Sequence, residues 1–275
     1  MSIFTRISKD GVIVSTVNGR RKLVKKAEDF VKHYLSYEIL GLFDVVRALV
    51  KISTVDRRLT QVLESSLGSK HPLTILSKIV KDSGDSVTKI LNKIDNVERD
   101  VVNKVLNDVE CGETILIHGV SSTKLLKHLI GKNVKFILPE YRPSLIQAKV
   151  IAKYLVNNGA EVTIVSDNMP AYIMWEGRVS KFISEGLMLS NNILCRSGVL
   201  TYSISAHHTN VDTIIFCLKV NGIKYTLQEV PLRQDENVKV LNGLRIAPVN
   251  INALMVDLDN IPRKYIAKLH YTVLL

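Results

Sequence analysis

Between Thr114 and Val165 the chain reads TILIHGVSSTKLLKHLIGKNVKFILPEYRPSLIQAKVIAKYLVNNGAEVTIV, and this stretch decides the fold. Thr114-Ile115-Leu116-Ile117 is a short apolar strand, followed by Gly119, a Ser-Ser-Thr turn and a helix over 124–130. Val134-Lys135-Phe136-Ile137-Leu138 is the next strand, and a helix over 145–157 follows Arg142-Pro143. Gly159 closes that helix before a third strand over 161–165. A further strand is expected over 213–218, with Ile183 in a short one between them. Strands alternating with helices at this spacing predict an α/β fold with a mostly parallel, Rossmann-like sheet covered on both faces. Ligands of such sheets bind beyond the carboxyl ends of the strands. That rule points at the loops after Ile117, Leu138 and Val165.

Upstream the grammar is helical. Val24, Phe30, Val31 and Leu35 have approximate helical spacing, and 40–50 and 59–67 repeat it. Over 86–109, Val87, Ile90, Leu91, Ile94, Val97, Val101, Val105 and Leu106 recur in steps suited to one helix face. Val12-Ile13-Val14 reads as an edge strand before the helices, and Lys70-His71-Pro72 as a break. The expected domains are a helical one over 1–109 and an α/β one over 110–275.

The 275 residues are 46% hydrophobic and 23% charged, a globular composition that excludes wholesale disorder. No apolar run approaches the ~18–20 residues that span a bilayer. Met1-Ser2-Ile3-Phe4-Thr5-Arg6 lacks a signal-peptide pattern, so a cytoplasmic protein is expected. Cys111, Cys195 and Cys217 are widely spaced, which argues against a disulfide framework and against a zinc site.

The formal charge of +11 invites a nucleic-acid reading. Its distribution weakens that reading, with about +6 over 1–60, about −1 over 61–110 and about +6 beyond. The sharpest cluster, Arg20, Arg21, Lys22, Lys25 and Lys26, has no interleaved aromatic platform for bases. An acidic protein partner, or a merely solvated basic helix, accounts for it better.

Three loops carry the candidate chemistry. Ser121 and Ser122 open a helix, where unpaired N–H groups suit a phosphate or where they simply cap. Arg142 offers a bidentate phosphate contact or a surface ion pair. Asp167 and Asn168 follow the third strand, placed to meet a ligand hydroxyl or to cap. His118 at a strand end reads as satisfied polar packing, Trp175 as a packing residue, and the His207-His208 pair lacks metal-ligand spacing.

In order and spacing, Ile115-Leu116-Ile117-His118, Pro139-Glu140-Tyr141-Arg142-Pro143 and Val162-Thr163-Ile164-Val165-Ser166-Asp167-Asn168-Met169 resemble the initiation factor 2B alpha/beta/delta family. Val256-Asp257-Leu258-Asp259-Asn260-Ile261-Pro262, with Tyr265-Ile266, resembles its closing segment, so the likeness covers 110–275. The family includes methylthioribose-1-phosphate and ribose-1,5-bisphosphate isomerases. The resemblance implies a helical domain joined to a Rossmann-like one, dimers, and, in the isomerase branches, a Cys and an Asp as acid–base pair. No cofactor is implied.

The departures are as informative as the matches. Gly119 stands where the family's catalytic Cys follows the strand, and Glu185 of Ile183-Ser184-Glu185 where its Asp does. Cys195-Arg196 replaces the Asn-Lys pair of the substrate site, and the Arg-Gly-Ala phosphate motif corresponds at best to Asn18-Gly19-Arg20. Cys195 reads as a buried apolar thiol rather than a substitute nucleophile. The sequence therefore predicts no working acid–base pair, with Gly119 and Glu185 as degenerate positions. A residual anion pocket is expected to draw on Ser121, Ser122, Arg142, Asp167, Asn168 and Arg196. A regulatory binding protein is expected, with initiation factor 2 subunits and a phosphorylated sugar or nucleotide as candidate partners. A sugar-phosphate aldose–ketose isomerase with an altered pair is the alternative.

Overall fold

A computed structural model describes residues 5–8, 10–15, 21–35, 39, 41–143, 145–221, 232–241, 244–248 and 250–275. At the amino end, β1 (Thr5–Ser8), β2 (Gly11–Ser15) and β3 (Arg21–Val24) form a small antiparallel sheet. The strand expected at Val12-Ile13-Val14 is thus the middle of three, not a lone edge. Its neighbours carry weaker signals, because Thr5-Arg6-Ile7-Ser8 is mostly polar and Arg21-Lys22-Leu23-Val24 opens on two charges. The basic cluster consequently lies on β3 and the turn after it rather than on a helix. Lys22, Lys25 and Lys26 are exposed, while Arg20 and the Asn18-Gly19-Arg20 motif lie outside the described residues.

Five helices follow: α1 (Ala27–Leu35), α2 (Leu42–Val55), α3 (Leu59–Leu67), α4 (Pro72–Asp82) and α5 (Val87–Asn107). Helix α4 starts at the expected break. His71 Nδ1 accepts from Leu73 N at 3.2 Å, and Pro72 takes the first-turn position whose N–H has no intrahelical partner. Ser86 caps α5 through Lys89 N at 3.3 Å, and the helix buries Ile90, Ile94, Val97, Val101 and Val105. Helix α2 buries every residue from Leu42 to Val50, the pattern of a helix enclosed on all sides. It packs against α1, α4, α5 and the main sheet.

The main part alternates as expected: β4 (Thr114–His118), α6 (Thr123–Gly131), β5 (Lys135–Pro139), α7 (Ile146–Asn157), β6 (Val162–Val165), α8 (Met169–Trp175), β7 (Lys181–Leu189), β8 (Asn192–Arg196), α9 (Val199–His208) and β9 (Asp212–Val220). Short strands β10 (Arg233–Gln234), β11 (Val240–Leu241), β12 (Leu244–Arg245) and β13 (Leu254–Met255) pair among themselves. β14 (Leu258–Asn260) and β15 (Lys268–Val273) complete an eight-stranded sheet among the described residues. β6, β5, β4, β7, β9 and β15 run parallel in that spatial order. The α/β class is borne out. Ile183, however, belongs to a nine-residue central strand rather than a short one.

That length creates the feature that matters most. On one edge β7 pairs along its whole length with β9. On the other it pairs with β4 up to Ser184, then antiparallel with β8 from Gly186 onward. Glu185 sits in the fork between them. Side chains alternate across the sheet. Ile183, Leu187 and Phe216 face the core shared with α2, α5, α6 and α7, whereas Phe182, Cys195 and Cys217 face α8 and α9. The helical part is therefore one covering layer of the sheet. Among the described residues no helix is long and apolar enough to cross a membrane.

Candidate functional site

The fork at Glu185 lies where two helix starts converge. Its carboxyl is fully buried on the face of β7 toward the helical layer. Oε1 accepts from Phe43 N at 2.6 Å, in the first turn of α2. Oε2 accepts from Ser121 N at 2.9 Å and from Ser121 Oγ at 3.3 Å, just ahead of α6. Burial pushes the carboxyl up to about 8, with Asp44 and Glu98 adding to the rise and the two backbone bonds opposing it. Glu185 is therefore largely neutral at pH 7. Gly41, the residue ahead of α2, passes so close that a Cβ there would fall 2.1 Å from Ser121 Oγ and 2.5 Å from Glu185 Oε1.

A polar cluster backs this point. Arg47 of α2 reaches Asp44 at 3.4 Å, Asp95 at 2.8 Å and Glu98 of α5 at 2.7 Å. Glu98 also meets Lys124 of α6 at 3.1 Å and bonds with Ser122. Ser122 caps α6 through Leu125 N at 3.4 Å. Ser121 and Ser122, expected at a ligand, are both buried and engaged by these carboxyl groups.

On the other side of the β4 end, the chain turns at Gly119 with φ +68°, and its N–H donates to Tyr141 Oη at 3.1 Å. A Cβ at Gly119 would meet Arg196 Cβ and Cγ at 3.3 Å, so the Arg196 stem occupies the space toward which a side chain would grow. His118 Nε2 donates to Ser197 O at 2.7 Å, and its ring stacks on Tyr141 at 4.3 Å. Burial lowers it to about 4, so the ring is neutral, in keeping with the expected packing role. Arg196 is buried, donates through Nη2 to Ile39 O at 2.5 Å and lies 4.9 Å over the Tyr34 ring.

Asp167 organises the next loop, accepting from Tyr141 N at 2.9 Å and Arg142 N at 2.8 Å. Asn168 is exposed and accepts from Ser166 Oγ at 2.6 Å. The candidate residues therefore do not converge on one point. Arg142 and Arg196 line a common cleft with His118, Tyr141, Gln147, Ser197 and Met255, whereas Ser121 and Ser122 turn inward and Asn168 outward. That cleft measures about 20 Å³, room for one water. Small-molecule sites span roughly 300–1,000 Å³.

Cys195 is buried, and its thiol is pushed far up by burial. Trp175, expected to pack, is instead 76% exposed. Sequence reasoning missed Ile39, Gly41, Phe43 and Tyr141, the residues that engage or close the fork. Gly41 immediately before a helical pattern was the available signal.

The pattern of the family described as the initiation factor 2 subunit family matches residues 18–269. Methylthioribose-1-phosphate isomerase from Geotalea daltonii is 28% identical over 146 residues, 51% of this chain and 42% of that protein. The enzyme of the same name from Geobacter metallireducens is 29% identical over 150 residues, with the same coverage. The matched stretch thus spans less than half the length of these relatives. Translation initiation factor eIF-2B, subunit delta, from A. fulgidus superposes with TM-score 0.65 at 16% identity, over 98% of this chain and 94% of that one. 5-Methylthioribose 1-phosphate isomerase from Pyrococcus horikoshii OT3 superposes with TM-score 0.61 at 16% identity, over 98% and 91%.

Proposed function

The chain belongs to the initiation factor 2 subunit family, and from that premise we propose a regulatory binding protein whose sugar-phosphate pocket is closed and which isomerises nothing. The observation that carries this reading is the engagement of Glu185. An aldose–ketose isomerase needs two groups of suitable pKa within reach of adjacent carbons. Gly119 supplies none, and the Glu185 carboxyl is held by Phe43 N and Ser121 N. The neighbouring cleft of about 20 Å³ has no room for a phosphorylated pentose.

The rival reading, an isomerase with an altered pair, draws support from one fact. A carboxyl raised to about 8 lies in the range useful to a general acid near neutral pH. Purified protein supplied with ribose-1,5-bisphosphate or methylthioribose-1-phosphate decides between them. The expected result is no turnover. Rates in the common ~1–10³ s⁻¹ range, abolished by Glu185→Gln, overturn the proposal.

In this reading the protein works in the cytoplasm without a cofactor, with 1–109 and 110–275 as its two domains. Its protein partner is an initiation factor 2 subunit, met by Arg20, Arg21, Lys22, Lys25 and Lys26. Capture of such subunits should fall when all five are changed to Gln and at high salt. A phosphorylated sugar or nucleotide would reach Arg142 and Arg196 only after the cleft widens. The protein also forms a dimer through the open edge at β6. That strand, Val162-Thr163-Ile164-Val165, has no charge or proline to protect it and no neighbour beyond it among the described residues. Exposed apolar side chains flank it on both faces, Val156 and Ile164 on one, Met169, Tyr172 and Trp175 on the other. The adjoining groove carries Lys135 and Arg178 with Glu161 and Glu176. In a chain of net charge +11, this locally balanced patch suits a second copy better than an acidic partner.

A further inference from the structure

We propose that Glu185 and Arg196 form a two-point latch that clamps the start of α2 into the fork of the sheet, and that the proton on Glu185 sets how firmly it holds. The two contacts come from adjacent strands and grip the chain on either side of Gly41. Arg196 of β8 takes the Ile39 carbonyl at 2.5 Å, and Glu185 of β7 takes the Phe43 amide at 2.6 Å. Between them the Gly41 Cα lies so close to Ser121 and Glu185 that no Cβ fits. The start of α2 cannot withdraw without stripping partners from two buried polar groups.

The groups facing Glu185 explain why its proton matters. Asp44 looks at it from α2 and Glu98 from α5, while Arg47 and Lys124 are already committed to those carboxylates. Ser121 faces it from the loop before α6, while the Cys195 and Cys217 thiols lie across the sheet on its other face. An ionised Glu185 would place a third negative charge in this dry cluster. The neutral carboxyl adds none, and it still accepts the two amide bonds.

The pH window follows from the direction of the shift. The folded carboxyl titrates at about 8, above its ordinary 4.5. Its contribution to stability is complete below pH 4.5 and is lost as pH rises through 8. His118, lowered from 6.5 to about 4, has the opposite slope between pH 4 and 6.5 and masks the effect there. The latch is therefore read above pH 6.5, and it stands whether or not the pocket takes a ligand.

The experiment follows full-length wild type and Glu185→Gln from pH 6.5 to 9, by denaturant unfolding and by hydrogen exchange of the Phe43 amide corrected for its intrinsic pH dependence. The wild-type folding equilibrium should fall by ~30-fold across that range, with Phe43 protection declining in step, and Glu185→Gln should lack this component. Superimposable pH profiles for the two proteins overturn the proposal. Should Glu185→Gln fail to fold, wild type alone decides, because pH-independent Phe43 protection overturns it equally. Arg196→Met should speed Phe43 exchange at every pH while keeping the wild-type slope. Unchanged Phe43 exchange in that variant removes Arg196 from the latch and overturns its two-point form.

Discussion

Gly41 and Gly68 both flank helices, and they need to be glycine for opposite reasons. Gly68, after α3, has φ +94° and open space around its missing side chain, so only its backbone objects to a Cβ. Gly41 has an ordinary φ of −102°, yet a Cβ there would strike Ser121 and Glu185. Gly41→Ala should destabilise the fold by about 1–3 kcal/mol through crowding, measured by urea unfolding. Gly68→Ala should cost a similar amount, about 1–3 kcal/mol, through strain. A double-mutant cycle separates the mechanisms. Ser121→Ala removes the oxygen nearest the added Cβ, so it should couple to Gly41→Ala and be additive with Gly68→Ala. Additivity in both cycles would refute the crowding account of Gly41.

Among the elements, α2, α5 and α6 are tied by the charge cluster around Arg47. Burial works against that guanidinium, but Asp44, Glu98 and Asp95 more than offset it and hold it above the ordinary arginine range. Arg47→Met would leave Asp44 and Glu98 buried with too little counter-charge. The expected loss is about 3–5 kcal/mol, seen as a lower unfolding midpoint at pH 7 that partly recovers as acid protonates the carboxylates. A loss under about 1 kcal/mol would mean that the cluster behaves as a surface pair. Nothing in the periodicity of α2 announces this cluster, because Asp44 and Arg47 meet Glu98 across elements. What was legible was local. The alternation of short apolar runs with helical spacing over 114–165 carries its own physical cause, and those strands and helices lie where it places them. The β7–β8 hairpin was missed although Ser190-Asn191 between two apolar runs is a turn signal, and Ser190 indeed has φ +54°. Gly119 and Glu185 could be singled out in the sequence as departures from the family pattern, but the residues that pack against them could not. Ile39, Gly41 and Phe43 reach the fork from more than a hundred residues away, and no window of sequence contains both halves of that contact.

For the molecule as a whole, the open edge at β6 is the surface that most needs a cover. Changing Trp175, 76% exposed, to Ala should leave folding stability within about 0.5 kcal/mol. Ile164→Lys places a charge on the unprotected strand and should shift a dimer toward monomer in sedimentation velocity, with Trp175→Ala weakening it less. Wild type sedimenting as a monomer at tens of micromolar would overturn the dimer, and a dimer unaffected by both changes would move it to another face. The clasp on α2 has a separate consequence for how the chain is made. Phe43 and the carboxyl that receives its amide are 142 residues apart in sequence. A ribosome adding about 5–20 residues per second needs on the order of ten to thirty seconds to deliver the second after the first. Throughout that interval the nascent helical part carries a largely apolar α2, without a side-chain cap, whose seat on the sheet has not yet been synthesised. A chaperone that shields such a helix would be wanted early and released only as β7 and β8 leave the exit tunnel, so the schedule of synthesis is written into the distance between Gly41 and Glu185.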